Sequence, residues 1–565
     1  MTLPRRHDLA AIGALVLLWI AVWAPRLQGP IDLRWDASTY YVLGTSLAEG
    51  RGYRLLNEPG QIQAVQYPPF VPLLVAAHER TLGTSDVLTV AWRLRLCYFV
   101  LSGLYLLAAY ALARTLLAPP YALLVAATTG LSFYGFLYLS DALYAEIPFG
   151  LLSLLFLLCH RRSERPAFAV AAGIFGAAAY LCRTAGLALL AAWVLESLGR
   201  RRYREAFLRG ALAAMPIVLW WGYVHNVTHG EAYGRPVYPY QRAAWYYTNV
   251  TYGENSGFVD PFRPELGQTS SADLGSRVAH NLAAIPRVLG ESTWIPVNSE
   301  LYVLDKLKRV AHVPLPENAP ALAASTLKVC LVLIGLGAVL GAALVAASGE
   351  WFLSLYFAVT VGMIVLTPWP SQFWRYLAPL VPLTMLFVVV ALGRTDEWLR
   401  RQGGAAMRTA GSAVGTIPLV VMLLVQVFIA SSFLRTLLPV TWYDRAGREH
   451  AYRLLTYEPV WHALDPALEW VRRHAPADAV LATSVPQLAY LRTDRKTVMP
   501  PLDPDPDAAA RLLDSVPASY LLVDRLGLPG ISERYAEPLV ARRSNQWRLT
   551  FTSPDGRAQV YARLR

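Results

Sequence analysis

Long apolar stretches separated by short polar clusters dominate the first 440 positions of the chain. A helix needs about 20 residues to cross a hydrocarbon core of roughly 30 Å. On that measure the pattern predicts eleven spans, at 9–25, 96–113, 116–133, 142–160, 166–182, 184–198, 206–224, 321–347, 350–367, 376–393 and 410–434. Two stretches between the first and second spans, 37–49 and 68–80, are amphipathic and too short to cross, which predicts helices lying along the interface. Beyond residue 440 the pattern changes. A helical period in "PALEWVRRHAP" alternates with short β-rich runs in "AVLAT" and "SYLLVDR", and the closing "WRLTFTSPDGRAQVYARL" reads as two strands around an Asp555–Gly556 turn. No solenoid or propeller repeat is visible. The predicted fold class is mainly α, a polytopic membrane helical bundle of about eleven spans over residues 1–440. A small α/β domain over 441–565 follows it.

Composition excludes a soluble domain: 55% of residues are hydrophobic and 16% charged, where soluble proteins carry about 25% charged residues. A formal charge of +12 would suggest nucleic acid as partner in a soluble protein. Here the excess sits in loops, as "LPRR" before the first span, "HRRSER" (160–165), "GRRRYRE" (199–205) and "GRTDEWLRRQGGAAMR" (393–408). All four clusters, and Arg114, fall on one side of an eleven-span topology. The positive-inside bias makes that side, with the N-terminus, cytoplasmic. The outer side then receives the first loop (26–95), the turn "FYGFLYLSDALY", the long loop 225–320 and the C-terminal domain. Cys97, Cys159, Cys182 and Cys330 lie in or beside apolar runs without metal-ligand spacing, as buried small hydrophobes do. The N-terminus has the basic start and apolar middle of a signal peptide, but Trp23, Pro25 and Arg26 occupy the place of a cleavage site, so a retained first span is expected.

The outer loops carry the candidate chemistry. Asp36 lies about ten residues past the first span in "LRWDASTYYVLG", beside Trp35, Tyr40 and Tyr41. Alone it reads as a solvated carboxylate or a helix N-cap. "YLSDALYAEIPFG" adds Asp141 and Glu146, five residues apart, so on one helix at most one of them faces Asp36. An ionisable group inside a span marks function by default; the rival for Glu146 is a carboxylate favoured by the helix dipole. Arg183 in "AYLCRTAGLALL" and Arg375 in "WPSQFWRYLAPLVPL" stand at outer span ends. Their forked donors suit phosphate, against a rival reading as headgroup anchors.

Two outer acidic loops and two outer arginines fit sugar transfer from a lipid phosphate. A sugar hydroxyl is a poor nucleophile near neutral pH, so a carboxylate base takes its proton. Cations stabilise the charge developing on the leaving phosphate. These residues also carry a resemblance. The chain resembles the GT-C superfamily of integral-membrane glycosyltransferases. Within it, the chain is similar to the bacterial family-39-type group of protein O-mannosyltransferases and aminoarabinose transferases. The matching features are Asp36 with Tyr40, "QYPPFVPLL" (66–74) with Tyr67, "LYAEIPF" (143–149), "RYLAPLVPL" (375–383) with Tyr376, and the tail "YLRTDRKTVMPP". The resemblance implies a polyprenyl-phosphate sugar donor and a lipid, glycan or protein acceptor. It also implies inverting transfer on the exoplasmic face of a bacterial plasma membrane. The roles implied are Asp36 as base, Asp141 or Glu146 as the second acid, and Arg183, Arg375, Tyr40, Tyr67 and Tyr376 in substrate binding. Two departures stand out: Ala37 follows Asp36 where relatives carry an Asp-Glu pair, and Gln66–Tyr67 precede the Pro-Pro where some carry an acid. No metal cofactor is expected on that basis, and His78, His225 and His229 read as scattered loop histidines. The rivals are a transporter or flippase, which would show paired repeats, and a sugar-lipid binder without activity. An oligosaccharide transferase is the nearest alternative within the same chemistry.

Overall fold

The computed structural model describes residues 6–297, 318–402, 405–444, 446–526 and 530–564, with isolated positions 299, 304 and 316, and the side chains of 405–412 excepted. The start of the "LPRR" cluster, Gly403 and Gly404 of the 393–408 cluster and most of 298–317 lie outside the described residues.

Among the described residues six helices are long and apolar enough to cross a membrane: Arg6–Arg26, Val87–Ala113, Tyr203–Thr228, Ala319–Ala347, Pro370–Arg401 and Ala413–Arg435. A seventh crossing arises if Pro119–Leu131 and Phe133–Asp141, bent by 73°, form one span. Four shorter apolar helices follow the same pattern at Glu146–His160, Pro166–Cys182, Gly186–Gly199 and Trp351–Ile364. Each predicted apolar stretch therefore falls on a helix, and four of these helices are shorter than a full crossing. The reason is local at the fourth. Ala142 is extended (φ −114°, ψ 155°) and forms a parallel bridge with Asp32, so the helix begins only at Glu146. Asp141 and Glu146 thus end one helix and start another, instead of sharing one.

Packing in the bundle is close enough for backbones to touch. A Cβ on Gly341 would overlap the carbonyl of Phe387, so the helices Ala319–Ala347 and Val381–Arg401 meet without an intervening side chain.

The first loop folds into the two expected helices, Asp36–Ala48 and Phe70–Leu82. Phe70–Leu82 leaves one face, with Leu73, Ala77 and Arg80, exposed as an interfacial helix would, whereas the first of the two is covered. Asp36–Ala48 buries Ala37 through Gly44, and a Cβ on Gly44 would overlap Val75 of the other helix.

The C-terminal region opens with an antiparallel pair, β1 (Leu438–Tyr443) and β2 (Glu449–Leu454). A five-stranded sheet follows, formed by β3 (Val480–Ala482), β4 (Lys496–Val498), β5 (Ala518–Val523), β6 (Trp547–Thr552) and β7 (Gln559–Arg563). Its order is β4-β3-β5-β7-β6. The first three strands are parallel, as helical crossovers require. β7 runs antiparallel to both β5 and β6, closing the predicted hairpin.

This sheet is bolted to the loops of the bundle. Thr497 N donates to Asn57 O (2.9 Å) and Leu455 N to Asp141 Oδ2 (2.9 Å). Glu58, fully buried, accepts from Tyr238 (2.7 Å), Tyr246 (2.6 Å) and Gln241 (3.1 Å), and Tyr246 in turn accepts from Met499 N (2.8 Å). Burial pushes the Glu58 carboxyl above its ordinary value of 4.5, against the opposing pull of its three donors. Its folded form therefore holds the proton more tightly than its unfolded form. The stability it contributes is fully present below about pH 4.5 and is lost as pH rises through the folded pKa. Glu58→Gln is expected to flatten this dependence, so thermal melts of wild type and variant should converge at low pH and separate toward neutrality. Parallel melting curves across that range would refute the assignment.

Candidate active site

The bridge between Asp32 and Ala142 brings the first and second loops together: Asp32 N donates to Asp141 O (3.0 Å) and Leu143 N to Asp32 O (3.0 Å). Four residues on from each strand of this bridge stand Asp36 and Glu146, each the first residue of its helix, where the dipole favours a carboxylate. Proline sets the third element. Pro68–Pro69 end the extended segment before Phe70–Leu82 and leave Tyr67 to donate to Asp36 Oδ1 at 3.0 Å.

Arg375 joins the two carboxylates. Its Nη2 lies 2.7 Å from Asp36 Oδ2, its Nε donates to Glu146 Oε1, and its guanidinium stacks over the Tyr144 ring at 4.4 Å. Arg183 caps Pro166–Cys182 from the break before Gly186. It donates to the same Glu146 oxygen and lies over Tyr376 at 5.0 Å. Glu146 thus holds both arginines through one oxygen, while among the described residues its Oε2 meets no hydrogen-bond partner. Exposure divides the four: side chains of Asp36 and Arg183 are 19% and 17% accessible, that of Glu146 only 1%. Asp36 and Arg183 are thus the more exposed members of the cluster, and Glu146 stands behind them.

The structure brings together Asp36, Glu146, Arg183, Arg375, Tyr67 and Tyr376 from five separate segments. Tyr40 is buried one helical turn after Asp36 with its ring edge-on to Tyr67 (5.1 Å). Asp141 is placed elsewhere. It is buried with one oxygen against Arg95 (3.0 Å) and Arg26 (3.7 Å), and its other oxygen takes the Leu455 amide, so it ties the C-terminal region to the arginines of the bundle. Sequence reasoning missed three aromatic residues near this cluster, Tyr144, Tyr247 and Tyr252. Burial and the Asp36 charge push the Tyr247 hydroxyl up, and Tyr252, pushed up by burial and Tyr376, lies against Trp369 (5.1 Å). The signal was the aromatic density of "YPYQRAAWYYTNVTY" (238–252).

The residues present do not fit a divalent cation. Asp36 and Glu146 are each compensated by a guanidinium, and Tyr67 stands beside Asp36 where a third ligand would be needed. Among the described residues no group of three or more His, Cys, Asp or Glu is placed to hold an ion. His78 bonds Leu74 O within its own helix (2.8 Å), and His225 stacks between Trp221 and His229.

Solved membrane proteins share this arrangement of an apolar bundle with loops and a small sheet domain clasped over one end. The oligosaccharyltransferase of Archaeoglobus fulgidus in its apo form matches with a TM-score of 0.51 and 13% identity, covering 99% of this chain and 74% of that one. AglB from the same organism, in complex with an inhibitory peptide and a dolichol-phosphate, matches at 0.50 with 13% identity and the same coverage. ArnT from Cupriavidus metallidurans bound to undecaprenyl phosphate aligns more loosely, at 0.39 and 12% identity, over 98% of both chains. At these identities the likeness is one of fold. No protein-family model matches the sequence, and no curated protein matches it.

Proposed function

We propose that the protein is a membrane glycosyltransferase that moves a sugar from a polyprenyl-phosphate donor to an acceptor hydroxyl, with inversion. The observation that carries this reading is the Asp36–Arg375–Glu146–Arg183 cluster beneath the loops of a GT-C fold. The archaeal protein of that fold is solved with a dolichol-phosphate, a ligand of the class proposed here.

The cluster suits the two charges of the reaction. The acceptor oxygen attacks the anomeric carbon while its proton passes to the Asp36 carboxylate. The bond from that carbon to the phosphate oxygen breaks, and its electron pair leaves with the polyprenyl phosphate. Arg375 and Arg183 stabilise that leaving charge, from positions already fixed by Glu146. Glu146, buried and shared by both arginines, sets their geometry; Asp141 serves the scaffold. In the resting protein Asp36 is paired with Arg375. A donor phosphate competes for the same guanidinium and so frees the carboxylate when the reaction needs it.

The same reading places residues 1–440 as the catalytic membrane domain, 441–565 as the outer domain, and the basic loops in the cytoplasm, as their charge favours. Cells lacking the protein should accumulate a polyprenyl-linked sugar that the reintroduced gene clears, and a reporter fused after residue 450 should read as exoplasmic. Unchanged lipid-linked pools would defeat the transferase reading; a cytoplasmic reporter signal would defeat the orientation.

A further inference from the structure

Asp36 is preceded by the most unusual backbone in the first loop. Trp35 has φ 57° and ψ −133°, and Ala37 N donates back to Arg34 O (3.3 Å). This is a type II′ turn, whose first central position is ordinarily glycine because a Cβ is crowded there. A tryptophan in that place is strained and persists only where surrounding contacts over-determine it. Those contacts come from a segment more than 400 residues away. The Trp35 ring packs edge-on to Trp461 at 5.1 Å and 90°. Arg34 donates to Asp32 Oδ2 (2.7 Å), Glu458 Oε2 (2.8 Å) and the Thr456 carbonyl (2.6 Å), with its guanidinium over Trp461 (5.2 Å). Next along, Leu455 N holds Asp141.

From this geometry we infer that the C-terminal segment 455–461 positions the Asp36 carboxylate, with Trp35 and Trp461 as positioning residues that hold the turn in its strained form. The inference rests on the transferase reading above and extends it, giving the C-terminal region a part in the chemistry. The first helical residue takes its direction from the turn that feeds it. Releasing Trp35 lets the turn relax toward an unstrained φ and swings Asp36 relative to Arg375 and Tyr67. Misplacement of a reacting group by about 1 Å costs up to about a hundredfold in rate.

The test uses the full chain. Clearance of the accumulated lipid-linked sugar is followed in cells complemented with each variant, alongside thermal melts and binding of undecaprenyl phosphate by the purified protein. Trp461→Ala and Trp35→Ala are expected to slow clearance about tenfold to a hundredfold, with undecaprenyl phosphate affinity within about twofold of wild type. Glycine accepts φ 57° without strain and keeps the turn without the ring, so Trp35→Gly should clear faster than Trp35→Ala; a purely structural tryptophan would leave the two alike in rate. Trp461→Phe and Trp35→Phe, which keep an aromatic edge contact, should restore most of the rate. Should Trp461→Ala not fold, Trp461→Leu fills the space without the ring and carries the same expectation. Wild-type clearance by well-folded Trp35→Ala or Trp461→Ala overturns the inference and leaves the transferase reading intact. Failure of the wild-type gene itself to clear the pool overturns the transferase reading.

Discussion

Asp36→Asn is expected to reduce sugar transfer by about 10²–10⁴-fold, the range that general-base catalysis supplies, while folding and lipid-phosphate binding persist. Asparagine keeps the size and one acceptor oxygen, so Tyr67 and Arg375 retain a partner at Asp36's place. What disappears is the capacity to take a proton. Glu49→Gln is the matched control: it removes an exposed carboxylate at the other end of the same helix, and its transfer rate should be unchanged. Clearance of the lipid-linked sugar pool, normalised to the amount of folded protein in the membrane, measures both. Near-normal transfer by a well-folded Asp36→Asn protein would remove the base from the mechanism and return Asp36 to an ion-pair role beside Arg375.

What could be read from sequence follows the range of the forces involved. Apolar runs are local, so the helices of the bundle and the Asp555–Gly556 hairpin were legible, and so was the tail's mixture of helix and strand. The length of each helix was not, because Ala142 leaves the helix to pair with Asp32, a partner about 110 residues away. Residue type pointed to Asp36, Glu146, Arg183 and Arg375 because charges at the ends of apolar spans are costly and need a reason. Type alone could not separate Asp141 from Glu146. That depended on Arg26 and Arg95, two arginines that no local pattern connects to Asp141. The turn at Trp35 is the plainest illegible feature, since sequence rules expect glycine at that φ and the compensating contacts lie at Glu458 and Trp461.

Arg375→Ala is expected to do two separable kinds of damage. The first is to the donor: losing a charge-assisted hydrogen bond costs about 1.5–3 kcal/mol, or roughly tenfold to a hundredfold in affinity for the phosphate. Arg183→Ala should show this loss too. The second is to the fold. Glu146 is almost wholly buried and leans on both arginines. Breaking one partner from a buried ion pair costs about 3–5 kcal/mol, softened here because Arg183 still faces Glu146. Arg375→Ala should therefore melt at a lower temperature than Arg183→Ala, whose guanidinium is the more exposed of the two. The double variant Arg375→Ala with Glu146→Gln separates the effects. Removing the buried negative charge should recover much of the lost melting temperature, because the carboxylate left short of a partner is gone. Affinity for undecaprenyl phosphate should stay low, because no guanidinium has been restored. Such non-additivity in stability, absent from binding, is the signature of a charge cluster with a structural and a ligand-facing side. If Arg375→Ala binds undecaprenyl phosphate as tightly as wild type, the arginine serves only to neutralise Asp36 and Glu146, and the leaving phosphate must be stabilised from Arg183 alone.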